Sequence, residues 1–262
     1  MKTNIVFAIS LFFISSCSTL SFWSDDSEEE TSEPAKLFKI QNKYPIEIEW
    51  RRSLDGENDL GSFVPSFYSG EMIIADPKGN LLSINPINGK TIWDMNLKRD
   101  LSAGTASGFG KIIVSDTNGF VIAIDSVTKE TLWEKNIGGE VLSNGVISAS
   151  LVLLKNSVGE LVALDGTTGE QKWSFRSQLP ALTVRGTGEP IIENGTVFST
   201  FDNGRLGAFQ LDTGYFLWDG PISFVEGTSE LENLIDSDSS PVIAQQLIFA
   251  TNYQGRLTAF DI

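Results

Sequence analysis

Apolar residues in this chain fall into two kinds of run that follow one another in a fixed order. Continuous apolar stretches such as Met72-Ile73-Ile74-Ala75 and Lys111-Ile112-Ile113-Val114 lead into a turn (PKGN, TNGF, SVGE, DNGR), then into a short alternating run. After an Asn-Gly or Thr-Gly pair comes a stretch that carries a tryptophan. Helical periodicity is absent, and each run is bounded by turn residues, so the runs read as strands joined by hairpins. The turn glycines supply the positive φ that tight hairpins need.

The whole unit recurs. GNLLSINPINGKTIW runs from Gly79 to Trp93, GFVIAIDSVTKETLW from Gly119 to Trp133, GELVALDGTTGEQKW from Gly159 to Trp173, and GRLGAFQLDTGYFLW from Gly204 to Trp218. A fifth copy, GRLTAFDI, begins at Gly255 and ends with the chain at Ile262. Gly and Trp lie 14 residues apart in every complete copy, while successive copies start 40, 40, 45 and 51 residues apart. A constant interior with variable gaps describes one structural unit with insertions. With a further strand before the first apolar stretch, about 40 residues make a four-stranded antiparallel sheet, the size of one β-propeller blade. The fold class is therefore all-β, a β-propeller with about five blades present. A Trp that recurs at one register is expected to pack between blades.

Composition narrows the chemistry. Among 262 residues there is no histidine, which excludes imidazole bases, His-activated nucleophiles and His metal sites. A formal charge of −15 opposes a phosphate-binding surface. The single cysteine excludes an intrachain disulfide and lies at the end of a targeting segment. Lys2, the apolar run Ile5 to Ile14 and Ser15-Ser16-Cys17 read as a signal peptide over 1–16, too short to span a bilayer. Asp25, Asp26, Glu28, Glu29, Glu30 and Glu33 follow without an intervening basic residue, so 17–44 reads as an acidic, solvated tether ahead of a propeller at 45–262.

Two resemblances add to this reading. The pattern of Gly159, Leu161, Ala163, Leu164, Asp165, Thr168, Gly169 and Trp173 is similar to the repeat of pyrroloquinoline-quinone-dehydrogenase-like propellers. Gln210 and Asn85 replace that Asp in other copies, which favours a turn-closing role for it. The insertions after Trp173 and Trp218 are more specific. Leu182-Thr183-Val184-Arg185-Gly186, Thr228-Ser229-Glu230-Leu231 and Asp236-Ser237-Asp238-Ser239-Ser240-Pro241 resemble the corresponding loops of the BamB family, lipoproteins of the β-barrel assembly machinery.

That resemblance implies a noncatalytic scaffold, lipidated at Cys17 and held at the periplasmic face of the outer membrane. It implies docking on the periplasmic POTRA domains of BamA, with nascent outer-membrane proteins as further partners. The docking positions fall on Leu182, Val184, Arg185, Asp236 and Asp238. Leu and Val offer apolar burial, Arg a planar fork of donors, and the carboxylates a hold on a basic surface. Capping of the turn before Pro241 is the other reading of the two aspartates. No cofactor is expected, because no calcium and quinone constellation accompanies the repeat. Two alternatives share the fold, a tethered propeller that binds a glycan or another envelope protein, and a quinoprotein dehydrogenase.

The ends of the chain pose a further question. Ile46-Glu47-Ile48-Glu49-Trp50 reads as a last strand isolated ahead of the first blade, and the fifth copy stops short of its Trp strand. The residues permit closure as five blades. The family resemblance implies eight blades, so the expectation is a C-terminally truncated part of a larger ring.

Overall fold

A strand that is apolar at every position needs cover on both faces, whereas an alternating strand needs it on one. Both kinds recur in the computed structural model, which describes residues 39, 44, 46–57, 61–184, 188–224, 229 and 234–262. The chain divides into two units, Met1–Glu47 and Ile48–Ile262, and every strand among the described residues lies in the second. The expected signal peptide, and the tether apart from Lys39 and Tyr44, lie outside the described residues.

Among the described residues, five antiparallel sheets follow one another along the chain. The first holds β1 (Ser66–Tyr68), β2 (Glu71–Ala75), β3 (Asn80–Ile84) and β4 (Thr91–Asn96). The second holds β5 (Leu101–Gly108), β6 (Lys111–Asp116), β7 (Phe120–Asp125) and β8 (Thr131–Asn136). In the third are β9 (Val146–Ile147), β10 (Leu151–Lys155), β11 (Glu160–Asp165) and β12 (Gln171–Arg176). The fourth has β13 (Ile191–Glu193), β14 (Thr196–Phe201), β15 (Arg205–Gln210) and β16 (Phe216–Pro221). The fifth has three strands, β17 (Val242–Ala244), β18 (Leu247–Thr251) and β19 (Leu257–Asp261). Within each sheet the strands pair in sequence order, each as an up-and-down meander.

The core lies between successive sheets. Ile73, Ala75 and Leu81 of the first pack with Ile112, Val114, Ile122 and Ile124 of the second. Ile113 and Ala123 of the second meet Val152, Leu154 and Val162 of the third. Leu151, Leu153 and Leu161 of the third meet Val197, Phe201 and Phe209 of the fourth. Phe198 and Leu206 of the fourth meet Ile248 and Ala250 of the fifth. Middle strands such as β10 and β11 thus have a neighbour on each face and bury nearly every residue, while the outer strands β8 and β12 alternate.

Tryptophans lock the second sheet to the third and the third to the fourth. Trp133 Nε1 donates to the Gly166 carbonyl at 3.2 Å, and Trp173 Nε1 donates to the Leu211 carbonyl at 2.8 Å, each in the last hairpin of the following sheet. Trp50 Nε1 makes the same bond to Pro86 at 3.0 Å. Each indole lies on a hairpin glycine: a Cβ on Gly89, Gly169 or Gly214 would stand 2.8, 2.7 or 2.5 Å from Cδ2 of Trp50, Trp133 or Trp173. Those glycines also have φ of 67°, 73° and 68°. The recurring Trp is therefore a packing residue between sheets, as its register predicts.

The second sheet carries Lys129 in place of that glycine, at φ 65°. Its ammonium lies 4.1 Å from the Trp93 ring centroid and donates to the Ser126 carbonyl, the acceptor that the register offers to the indole. Trp93 Nε1 donates instead to Glu71 Oε2 at 3.1 Å.

The repeated aspartate closes a turn. Asp165 Oδ1 accepts from the amides of Thr167 and Thr168 at 2.9 and 3.0 Å, and Asp125 Oδ1 accepts from those of Val127 and Thr128 at 2.8 Å. These amides, with Lys172, hold the Asp165 carboxyl at about 2, below its ordinary range.

One expectation is corrected. Residues 46–57 form no strand, although the IEIEW pattern predicts one. A strand exists by pairing its backbone, and none of the described strands pairs with this segment. Trp50 nevertheless takes the inter-sheet position in front of the first sheet.

Gly169→Ala combines a left-handed backbone with a Cβ driven into Trp133. It is expected to destabilise by roughly 3 kcal/mol or more in urea unfolding. Gly70→Ala, also at positive φ but with open space around it, is expected to cost only about 1–2 kcal/mol. Equal losses for the two would remove the packing role of the Trp contact.

Candidate partner-docking site

Both insertions are connections of one type, from the outer strand of one sheet to the first strand of the next. The first joins β12 to β13 and the second joins β16 to β17. Such connections cross the glycine turn between the two middle strands of their own sheet. A Cβ on Gly159 would stand 2.7 Å from Leu179 Cδ2, and one on Gly204 would stand 2.9 Å from the Ile235 carbonyl oxygen. The two insertions thus occupy the same rim, on neighbouring sheets.

The second insertion is fastened from several sides. The Asp236 carbonyl accepts from the Tyr253 amide at 2.8 Å, and Ser237 Oγ and Ser239 Oγ donate to the Thr251 carbonyl at 2.5 and 3.0 Å. Thr200 Oγ1, at the end of β14, donates to the Ser239 carbonyl at 2.8 Å, and the Glu189 amide donates to Ser240 Oγ at 2.9 Å. These bonds give the polar Asp-Ser-Asp-Ser-Ser run partners under cover, which its composition alone does not provide. The insertions also meet directly, because the Val184 amide donates to Asp236 Oδ2.

Beneath this segment lies a buried cation. Lys155, the last residue of β10, is 3% exposed; its Nζ donates to the Thr200 carbonyl at 3.2 Å and stands 3.8 Å from Asp202 Oδ1. Desolvation lowers its pKa, and the charges of Asp202, Asp238 and Asp236 act in the opposite sense. Burial pushes the Asp238 carboxyl up to about 6, with Lys155 opposing the shift and Asp202 and Asp236 adding to it. Asp236 is raised as well, chiefly by desolvation. Among the described residues, no group of acidic or thiol side chains is arranged to hold a metal ion.

Of the positions singled out in the sequence, Leu182 and Val184 are 43% and 42% exposed. Asp236 has no exposed surface and Asp238 is half-buried. A direct salt link to a partner is not open to a carboxylate so enclosed, and the geometry gives Asp236 a different part, that of holding the Val184 backbone. Arg185, Gly186, Thr228, Glu230, Leu231 and Cys17 lie outside the described residues. Lys155 and Thr200 belong to none of the motifs of the sequence, and Asp202 enters only as the first residue of the DNGR turn. One signal was present: the register of Lys155 carries Ala75, Ser115, Thr200 and Thr251 in the other copies, so a lysine there breaks an otherwise small, uncharged column.

Meander blades of this repeat, locked tryptophan to hairpin, define a β-propeller of the pyrroloquinoline-quinone-like class. Solved structures agree on the fold. BamB from Moraxella catarrhalis superposes with a TM-score of 0.69 at 24% identity, covering 76% of this chain and 60% of that one. Quinohemoprotein alcohol dehydrogenase from Comamonas testosteroni superposes with a TM-score of 0.58 at 17% identity, covering 78% and 41%. Residues 77–262 match the family described as outer membrane protein assembly factor BamB. The factor of that name from Kangiella koreensis is 43% identical over 238 residues, 90% of this chain and 61% of the relative. The one from Pseudomonas aeruginosa is 44% identical over 241 residues, 91% of this chain and 63% of the relative. The chain belongs to the BamB family, and it spans somewhat over three-fifths of these relatives' length.

The raised Asp238 makes a pH prediction with a definite sign. A carboxyl that binds its proton more tightly when folded, about 6 against the ordinary 3.8, contributes stability that is fully present below pH 3.8 and is lost as pH rises through about 6. Asp238→Asn mimics the protonated form. It is therefore expected to reduce the fall in urea midpoint between pH about 4 and 7, leaving the part that comes from Asp236 and Glu189, which shift the same way. An unchanged profile would show that Asp238 does not titrate in this range.

Proposed function

We propose that this chain is a noncatalytic lipoprotein scaffold of the outer-membrane β-barrel assembly machinery. On this reading residues 1–16 are removed as a signal peptide, lipid on Cys17 holds the protein at the periplasmic face of the outer membrane, and 17–44 is a solvated tether. The propeller docks on the periplasmic POTRA domains of BamA and aids the assembly and insertion of outer-membrane proteins. Family membership supports the machinery, because the relatives are named as assembly factors of the outer membrane.

The observation that carries the docking surface is the bond between the insertions, from the Val184 amide to the Asp236 carboxylate. It makes one patch of two loops that are far apart in sequence. Leu182 and Val184 offer apolar surface on that patch, and Arg185, next in the chain, supplies directed donors. Asp236 and Asp238 serve the patch from below.

Arg185→Glu is expected to weaken binding to the BamA POTRA domains by about 2 kcal/mol or more, roughly thirtyfold, in titration calorimetry. Affinity equal to the parent protein's would remove the docking assignment. Cys17→Ser is expected to move the protein from the membrane to the soluble periplasmic fraction, because an acidic tether is repelled by anionic lipid. The fractionation belongs in cells lacking the assembly machinery. Retention of the variant on the membrane there would overturn the anchor.

A further inference from the structure

A lysine buried to 3% exposure inside a blade junction is an expensive residue, and the assembly function proposed above does not use it directly. Lys155 ends a strand whose other members, Leu151 to Leu154, are all buried and apolar. Its ammonium crosses from the third sheet to the fourth, where it meets the Thr200 carbonyl at 3.2 Å and Asp202 Oδ1 at 3.8 Å. Thr200 in turn holds the Ser239 carbonyl at 2.8 Å. Three carboxylates, those of Asp202, Asp236 and Asp238, act on this one ammonium. Their Oδ1 atoms receive no hydrogen bond among the described residues, and the Lys155 charge opposes the repulsion that Asp202 and Asp236 exert on Asp238. Asp236 keeps its other oxygen on the Val184 amide.

We infer that Lys155 is a positioning residue for the docking patch: from inside the blade junction, without reaching the surface, it holds the Asp202, Asp236 and Asp238 carboxylates together so that Asp236 can fasten the Val184 loop. The inference rests on the docking reading for its consequence, but its mechanism is separate and can be measured without a partner. Lys155→Met keeps an unbranched side chain as far as Cε and removes the ammonium. The three carboxylates then face one another uncompensated, the Asp236 segment moves, and the Val184 amide is released. The net charge of the group passes from −2 to −3 if all three carboxylates are ionised, and adding Asp238→Asn returns it to −2. A lysine that merely filled space would not be rescued by an uncharged residue at 238.

Amide hydrogen exchange at Val184 is the direct readout, followed in the full chain at pH 7.5 beside a thermal melt. Lys155→Met is expected to speed exchange at Val184 by about tenfold or more while a cooperative melt persists, and Asp238→Asn in the same chain is expected to restore most of the protection. Unchanged exchange in Lys155→Met, or no recovery in the double variant, overturns the inference. Should Lys155→Met fail to fold, Lys155→Gln keeps a donor for the Thr200 carbonyl without the charge, and it is judged by the same two criteria. Affinity for the BamA POTRA domains separates the two readings. Faster exchange with unaltered affinity leaves Lys155 as a positioning residue and removes the docking role of the loop, whereas parallel loss and recovery of both supports the two together.

Discussion

The architecture depends on an indole lying flat against a hairpin that has no side chain at the point of contact. A single sheet of this repeat has two apolar faces, so it is stable only as one of a stack, and the stack needs a device that sets the spacing and angle of each neighbour. Trp50, Trp133 and Trp173 supply it by combining a large apolar area with one directed N–H bond to the next sheet's hairpin. The contact and the hairpin conformation are met by the same glycine, because the position needs both a positive φ and an absent Cβ. Lys129 satisfies neither preference. It is accommodated by turning its ammonium over the Trp93 ring and by redirecting the indole to Glu71, so a cation–π contact stands where a flat contact stands elsewhere.

Because spacing is set by these locks, the connections between sheets are free to vary in length. Two of them have grown into the insertions that meet on one rim. Their meeting is polar and partly buried, which is an unusual choice for a loop. An Asp-Ser-Asp-Ser-Ser run could have remained solvated. Instead its hydroxyls and backbone are tied to Thr200, Thr251 and Tyr253, and the charges of its aspartates act on a lysine buried between the third and fourth sheets. Such a network gains little net stability over an apolar filling. What it provides is one defined geometry for the exposed Leu182 and Val184 above it.

The comparison with quinoprotein dehydrogenases marks where fold ends as an argument. The quinohemoprotein alcohol dehydrogenases share the stack at 15–17% identity, which speaks for the arrangement of blades alone. The BamB relatives share in addition the sequence of the chain over about nine-tenths of its length. The insertions are where a common fold leaves room for difference.

The residues by themselves determined the period, the order of strands within a unit, the positive-φ turns, the turn-closing aspartates and the packing role of the tryptophans. All of these act over a few residues or through a repeat that states itself several times, so the rules of backbone conformation and periodicity suffice to find them. Tertiary structure alone decided that the IEIEW segment forms no strand, since a strand requires a paired edge from elsewhere. It also decided that Asp236 lies inside and supports the loop. An aspartate in a Ser-rich run reads as solvated, and Lys155 reads as the polar end of an apolar strand. Only the placement of one sheet's loop over another sheet's strand end brings their charges together under a cover that excludes water, and short-range pattern does not encode that juxtaposition.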